Sequence, residues 1–309
     1  MSALVAQVLF VVLVAISASP WGSPGVALLL GTALALTLGN PWPASTKYGK
    51  TLLQVCVVLL GFGMDLGVVL DAGRRGLGLA VFSIAVTLAA GWGLGRLLKV
   101  ERVTSALIAA GTAICGGSAI AAVGSAIGAS SGEMAVSMGT VFILNAVALY
   151  VFPPLGHLLG LSQDQFGTWA GIAIHDVSSV VGATSAYGEQ ALQVGTAVKL
   201  SRALWIVPLT FAASWAFRGK SEGTKVTVPW FIGLFLLASL ARSLVPGISG
   251  ATAMVVQVAR AGFAVVLFTV GASLSMATLR SVGWRPMVQG VLLWLLISTL
   301  ALAAVFAGL

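Results

Sequence analysis

His175 and Asp176, followed by Ser178 and Ser179, interrupt an otherwise apolar run at 165–187. An ionisable pair at bilayer depth is costly and faces a cavity or a polar partner. Histidine titrates near neutral pH when unperturbed, so His175 and Asp176 form a candidate site for a coupling proton. The same residues would be unremarkable if the run ended early and left them in an exterior loop. Lys199 and Arg202 stand three residues apart in a second apolar run, with Pro208 beyond them. That spacing puts both cations on one helix face. A planar guanidinium fork beside a compact ammonium suits an anion. A buried ion pair with Asp176, or snorkelling to the interface, fits the same two residues. The third group is Cys115-Gly116-Gly117-Ser118, at the centre of GTAICGGSAIAAV (Gly111–Val123). Adjacent glycines weaken a helix and let a backbone or solute approach. A helix broken at membrane depth survives where it is buried in protein or lines a cavity, which makes the stretch a candidate substrate site. A tight small-residue helix interface would use the same residues. Asp65 ends the GFGMD stretch and is either a ligand for H⁺ or Na⁺ or an ordinary span-end residue. Asn145 and Gln54 are expected to hydrogen-bond across helices.

The elements that must position these groups are membrane helices. Of 309 residues, 59% are hydrophobic and 8% charged, where a soluble domain carries about 25% charged residues. Apolar runs near span length recur throughout, which predicts an all-α polytopic membrane protein, a single transmembrane domain over 1–309 with no soluble domain. Spans are expected at 3–18, 24–40, 51–70, 77–98, 103–128, 134–156, 165–187, 192–217, 228–245, 254–279 and 287–308. The first is read as a retained helix, because no basic segment precedes it. Trp42, Trp92, Trp169, Trp230 and Trp284 fall near expected ends, where an aromatic belt belongs.

The net charge of +8 sits mostly near span ends and reports topology, not nucleic-acid binding. Lys47, Lys50, Lys99, Arg102, Arg218, Lys220, Lys225, Arg280 and Arg285 share one side on this count, which puts the N-terminus in the cytoplasm and the C-terminus outside. Arg74 and Arg75, in an expected turn, are the main exception. Cys56 and Cys115 both fall in apolar runs, which argues against a disulfide or a zinc site. No cofactor, metal or enzyme signature is present: there is no Walker loop, no dinucleotide fingerprint and no Gly-x-Ser-x-Gly. An intramembrane hydrolase built from His175, Asp176 and a serine is the residual enzymatic alternative.

Two internal echoes point to duplication. LLGFGMDL (Leu59–Leu66) is matched by LFTVGASL (Leu267–Leu274), in spans expected to run in opposite directions. GTAICGGSAIAAV is matched by GIAIHDVSSVVGA (Gly171–Ala183), yet the span count makes those two segments parallel, which an inverted repeat forbids.

LLQVCVVLLGFGMDL, GTAICGGSAIAAV, IHDVSSVVGA, Lys199-x-x-Arg202 and Pro208 together resemble the YeiH family of bacterial inner-membrane proteins, usually described as sulfate exporters. The resemblance runs from about residue 40 to the end. GTAICGGSAI is its most specific motif; the family often has Glu after the His, where Asp176 stands here. More broadly, Leu52–Pro154 looks like the core of bile-acid:sodium symporter-like transporters. The resemblance implies about 10–11 helices in an inverted-repeat fold with interrupted core helices, a core moving against a panel, and location in the bacterial inner membrane. It implies a secondary transporter of a small anion such as sulfate or a sulfonate. Cys115, Gly116, Gly117, Ser118, Ser178, Ser179, Lys199 and Arg202 would bind substrate, and His175, Asp176 and Asp65 would couple to H⁺ or Na⁺. The expected partners are the lipid bilayer, a small anionic solute and a coupling ion; a second copy of the chain is a further candidate. A Na⁺-coupled organic-acid symporter, an anion channel and a non-transporting membrane protein are the alternatives.

Overall fold

The computed structural model describes residues 3–19, 22–217, 230–245, 249–273 and 282–308. They form helices α1 (Ala3–Ala18), α2 (Pro24–Thr37), α3 (Ser45–Gly61), α4 (Leu66–Leu97), α5 (Arg102–Ala113), α6 (Gly117–Ile127), α7 (Ser131–Leu158), α8 (Gln163–Ala173), α9 (Val177–Tyr187), α10 (Glu189–Ala203), α11 (Ile206–Ala216), α12 (Trp230–Leu244), α13 (Ser249–Ser273) and α14 (Trp284–Phe306). Among the described residues four helices are long and apolar enough to cross a bilayer, and shorter apolar helices surround them. The chain is an all-α polytopic membrane protein.

The central element is α7. Its 28 residues would extend about 42 Å at 1.5 Å per residue. A capping box starts it: Ser130 Oγ accepts from Glu133 N, and Glu133 accepts from Ser130 N. The helices before and after it are half-length. Each is too short to span, and each meets its successor in a tight reversal.

The reversal follows from packing direction. Near its start, α5 meets α7 where Ser137 Oγ donates to the Thr104 carbonyl at 3.4 Å. Near its end, Gly111 lies against Val141. The two helices therefore run parallel, which forces α6 to return the chain to its starting side. The same holds beyond α7. Gly167 of α8 lies against Ala191 and Val194 of α10, and Gly171 lies against Gly195 and Val198. Those helices are also parallel, so α9 returns. Tyr187 at the end of α9 donates its hydroxyl to the Leu161 carbonyl at 2.6 Å and stacks on Phe166 and His157. The bases of the hairpins α5–α6 and α8–α9 thus sit at opposite ends of α7.

This changes the expected topology. The runs 103–128 and 165–187 are re-entrant hairpins and not crossings. The parallel relation that conflicted with an inverted repeat disappears, because the hairpins enter from opposite ends. Arg74 lies inside α4, since the chain breaks earlier, at Phe62–Asp65. Asp65 caps α4, accepting from Gly67 N at 2.7 Å and from the Ser243 hydroxyl at 3.2 Å. The first echo has no matching break, for Leu267–Ser273 stay within α13 and Leu274 lies outside the described residues. Its two helices do run antiparallel, with Gly49 beside Thr269, Cys56 beside Gly262 and Gly63 beside Val256. Trp169 is a core residue, 3% exposed, stacked on Phe152 at 4.2 Å; Trp42, Trp92, Trp230 and Trp284 are exposed. The helix at 192–217 breaks at Leu204–Trp205, ahead of Pro208.

Two groups of helices result. α1, α2, α3, α12 and α13 pack mainly on one another; α4 to α11 pack with α14. In the first group a β-carbon at Gly31 or Gly271 would overlap the facing carbonyl, so glycine permits the close α2–α13 approach. In the second, Gln289 of α14 ties α4 to α5 by donating to Ser105 Oγ at 2.7 Å and the Gly91 carbonyl at 3.0 Å. Between the groups, α3, α12 and α13 share a buried apolar core with α4, α9 and α10, including Val57, Phe235, Phe263, Val181 and Leu200. Polar contacts add to it: Arg260 pairs with Glu189, and the Tyr150 hydroxyl donates to the Gly25 carbonyl at 2.7 Å.

One end of the molecule is basic. Arg102 stacks over Phe217 there, and Arg285 lies at the start of α14 near it. Arg218, Lys220, Lys225 and Arg280 lie outside the described residues.

Candidate functional site at the hairpin tips

The α5–α6 tip is built by glycine. Gly116 has φ 62° and ψ −125°, a region essentially closed to residues with a side chain. It lets the chain reverse while Gly116 N still donates to the Gly111 carbonyl at 2.8 Å. No side chain caps α6, so the first N–H groups of Gly117 and Ser118 have no helical partner.

At the α8–α9 tip the equivalent position is Asp176. Its carboxylate caps α9, accepting from Ser179 N at 2.8 Å and from the Ser178 hydroxyl at 2.8 Å. Ile114 and Ile174 end the first arms, Gly116 and Asp176 open the second arms, and each second arm has 11 residues. The second echo is therefore a structural repeat in register. Its two copies differ at one consequential place: one helix N-terminus is open, and the other is closed by its own carboxylate.

The tips meet beside the middle of α7. A β-carbon at Gly116 would stand 3.5 Å from His175 Cβ and 3.6 Å from Asp176 Cβ. Asn145, near the midpoint of α7, accepts at Oδ1 from His175 N at 3.0 Å and faces His175 Nδ1 at 3.2 Å. The backbone N–H can only donate, which identifies the facing amide atom as oxygen. In the neutral ring that contact puts the proton on Nδ1, and Nε2 has no partner among the described residues.

Lys199 and Arg202 are fully buried behind the first tip. Lys199 Nζ donates to the Ile114 carbonyl at 3.1 Å. Arg202 Nη1 donates to Ser83 Oγ at 2.7 Å, and Nη2 donates to the Ala113 carbonyl. Both cations therefore sit at the C-terminus of α5, where the helix dipole is negative. The bracing is reciprocal: α7 follows the first hairpin and holds the second tip, while α10 follows the second hairpin and holds the first.

Both tips open onto one cavity of about 240 Å³. Cys115, Gly117 and Ser118 line it from the first tip, and Asp176 and Ser178 from the second. The facing wall is α3 and α13, with Lys50, Gln54 and Thr269 as its polar groups. The rest is apolar, with Phe142, Phe231 and Val266 prominent. Ser179, His175, Lys199, Arg202 and Asp65 do not line it. Sequence reasoning missed Lys50, Gln54 and Thr269 as residues of this lining: a lysine at a span start reads as a topology marker, and Gln54 reads only as a group that hydrogen-bonds across helices. The spacing of Lys50 from Gln54 and Val57 on one helix face was the available signal.

A family model described as Conserved hypothetical protein 698 matches residues 3–290. The chain is 52% identical over 291 residues to a UPF0324 membrane protein of Bacteroides thetaiotaomicron, covering 93% of this chain and 88% of that protein. It is 49% identical over 309 residues to a UPF0324 membrane protein of Bdellovibrio bacteriovorus, covering 98% and 95%. A third relative, from Geobacter sulfurreducens, is 49% identical over 296 residues, covering 96% and 94%. No solved structure matches the chain. The chain belongs to the Conserved hypothetical protein 698 family of membrane proteins.

Proposed function

We propose that this member of the family is a secondary transporter of a small anion of the sulfate or sulfonate type, working by alternating access and without covalent chemistry. The observation that carries the reading is the meeting of two oppositely entering hairpin tips at one cavity between two helix groups, with a few polar groups converging in a largely apolar lining. Broken helices that meet at mid-membrane bring backbone dipoles to a solute without lipid contact. The open N-terminus of α6 and the Lys50 ammonium attract the anion. Gln54, Ser118 and Ser178 offer hydrogen bonds. Lys199 and Arg202 act one layer behind, holding the α5 carbonyls and adding positive potential. His175, with its free Nε2, and Asp176 carry a coupling proton. The division into two helix groups with the cavity between them suits a core that moves against a panel. The resemblance to the YeiH family and to bile-acid:sodium symporter-like transporters supports the same reading, and with it a bacterial inner-membrane location with the basic end and the N-terminus in the cytoplasm.

A second reading, a Na⁺-coupled organic-acid symporter, is favoured by the apolar wall around Phe142 and Phe231. Purified protein in liposomes, assayed by counterflow of labelled sulfate, a short sulfonate and a short carboxylate, tests both. Saturable exchange of sulfate or sulfonate that a proton gradient drives supports the first. Carboxylate uptake that requires sodium supports the second. Flux equal to that of empty liposomes across the panel would count against transport.

A further inference from the structure

A second, larger cavity lies away from the hairpin tips. A groove of about 650 Å³ lies at the basic end, walled by α4, by α5 and α6 of the first hairpin, and by α11. Its interior is lined with small apolar groups, including Ala106, Ala109 and Ala213. Two arginines belong to the same lining. Arg96 lies with its guanidinium 4.2 Å over the Trp92 ring, and Arg102 lies 4.7 Å over the Phe217 ring. Stacking fixes each guanidinium plane while leaving its N–H edge free for an oxygen anion. Neither arginine pairs with a carboxylate among the described residues. The adjacent carboxylate, Glu101, is turned into the start of α5, where it accepts from Val103 N at 2.9 Å and Thr104 N at 2.7 Å.

We propose that this groove binds one anionic phospholipid, its phosphate held by Arg96 and Arg102 and its acyl chains laid along the alanine-lined floor. Charge decides the headgroup: two oriented cations at the basic end of the molecule, neither paired with a carboxylate among the described residues, favour an anionic lipid over a zwitterionic one. Shape decides the source: the floor is apolar and far larger than a phosphate ion needs, so a free phosphate would leave most of it unfilled. The bound lipid splints the base of the first hairpin to α4 and α11. This inference stands independently of the transported solute.

The test uses the full chain in neutral detergent, with lipid binding read by native mass spectrometry and thermal unfolding. Phosphatidylglycerol is expected to bind and raise the melting temperature by several degrees; phosphatidylcholine with the same chains should do much less, and glycerol 3-phosphate nothing. The double variant R96Q/R102Q should weaken phosphatidylglycerol binding roughly 10- to 30-fold, and each single variant should lose part of that. R242Q, outside the groove, should bind as the parent does. Equal retention of the two phospholipids, an equal effect of glycerol 3-phosphate, or undiminished binding by the single and double variants would overturn the proposal. The single variants keep it testable should the double variant fail to fold.

Discussion

Gly116 and Lys199 do different work, and substitution separates them. At φ 62°, ψ −125°, an alanine at 116 strains the backbone by about 1–3 kcal/mol. Its new methyl also enters the gap shared with Val141 and His175. G116A is therefore expected to lower the melting temperature in detergent and to abolish counterflow. K199M leaves the Ile114 carbonyl without its charged donor, a loss of about 1.5–3 kcal/mol for a hydrogen bond to a charged group. It should destabilise the fold as well as slow transport. Lys50 is exposed at the cavity and has no hydrogen bond or ion pair to another element among the described residues, so K50Q should leave the melting temperature unchanged and raise the half-saturating anion concentration. A K50Q protein with unaltered affinity would remove Lys50 from the site. The sequence pointed to Lys199 and Arg202 as a pair on one face, and they are one. What they face could not be read from spacing, because the α5 carbonyls they hold lie more than eighty residues away.

At the scale of elements, the hairpins depend on their caps. Burial works to raise the Glu101 carboxyl, but the N–H groups of Thr104 and Val103 outweigh it and hold it below its usual 4.5. A carboxyl lowered in the folded state adds stability above its unfolded value and loses it as pH falls through the lowered one. The difference in melting temperature between the parent and E101Q should accordingly be largest near neutral pH and shrink in acid. A difference that is flat from pH 7 to pH 3 would contradict the cap. The breaks at Cys115–Gly117 and His175–Asp176 were legible, since paired glycines and an intramembrane His-Asp disrupt apolar helices. The reversal was not. A broken crossing helix and a re-entrant hairpin have the same composition and period, and only tertiary packing of α5 along α7 and of α8 along α10 distinguishes them. The shared register of GTAIC and GIAIH carried the right relation while the span count obscured it.

For the whole molecule, the proposed transport would rest on motion between the two helix groups. The exposed Arg260–Glu189 pair crosses their boundary, and an exposed pair is worth only about 0–1 kcal/mol, so it can part cheaply. A short bifunctional maleimide joining E189C to R260C should stop counterflow while the unlinked double variant remains active; undiminished flux after linkage would argue for a static pore. The claim beneath all of this is that two half-length hairpins reach the middle from opposite sides. Single cysteines at Lys99, Ser131, Leu158 and Gln190, in a background lacking Cys56 and Cys115, report it directly through an impermeant maleimide in oriented vesicles. Positions 99 and 131 should label from one side, and 158 and 190 from the other. Labelling of 99 and 131 from opposite sides would make α5–α6 a through-going helix and contradict the shared cavity.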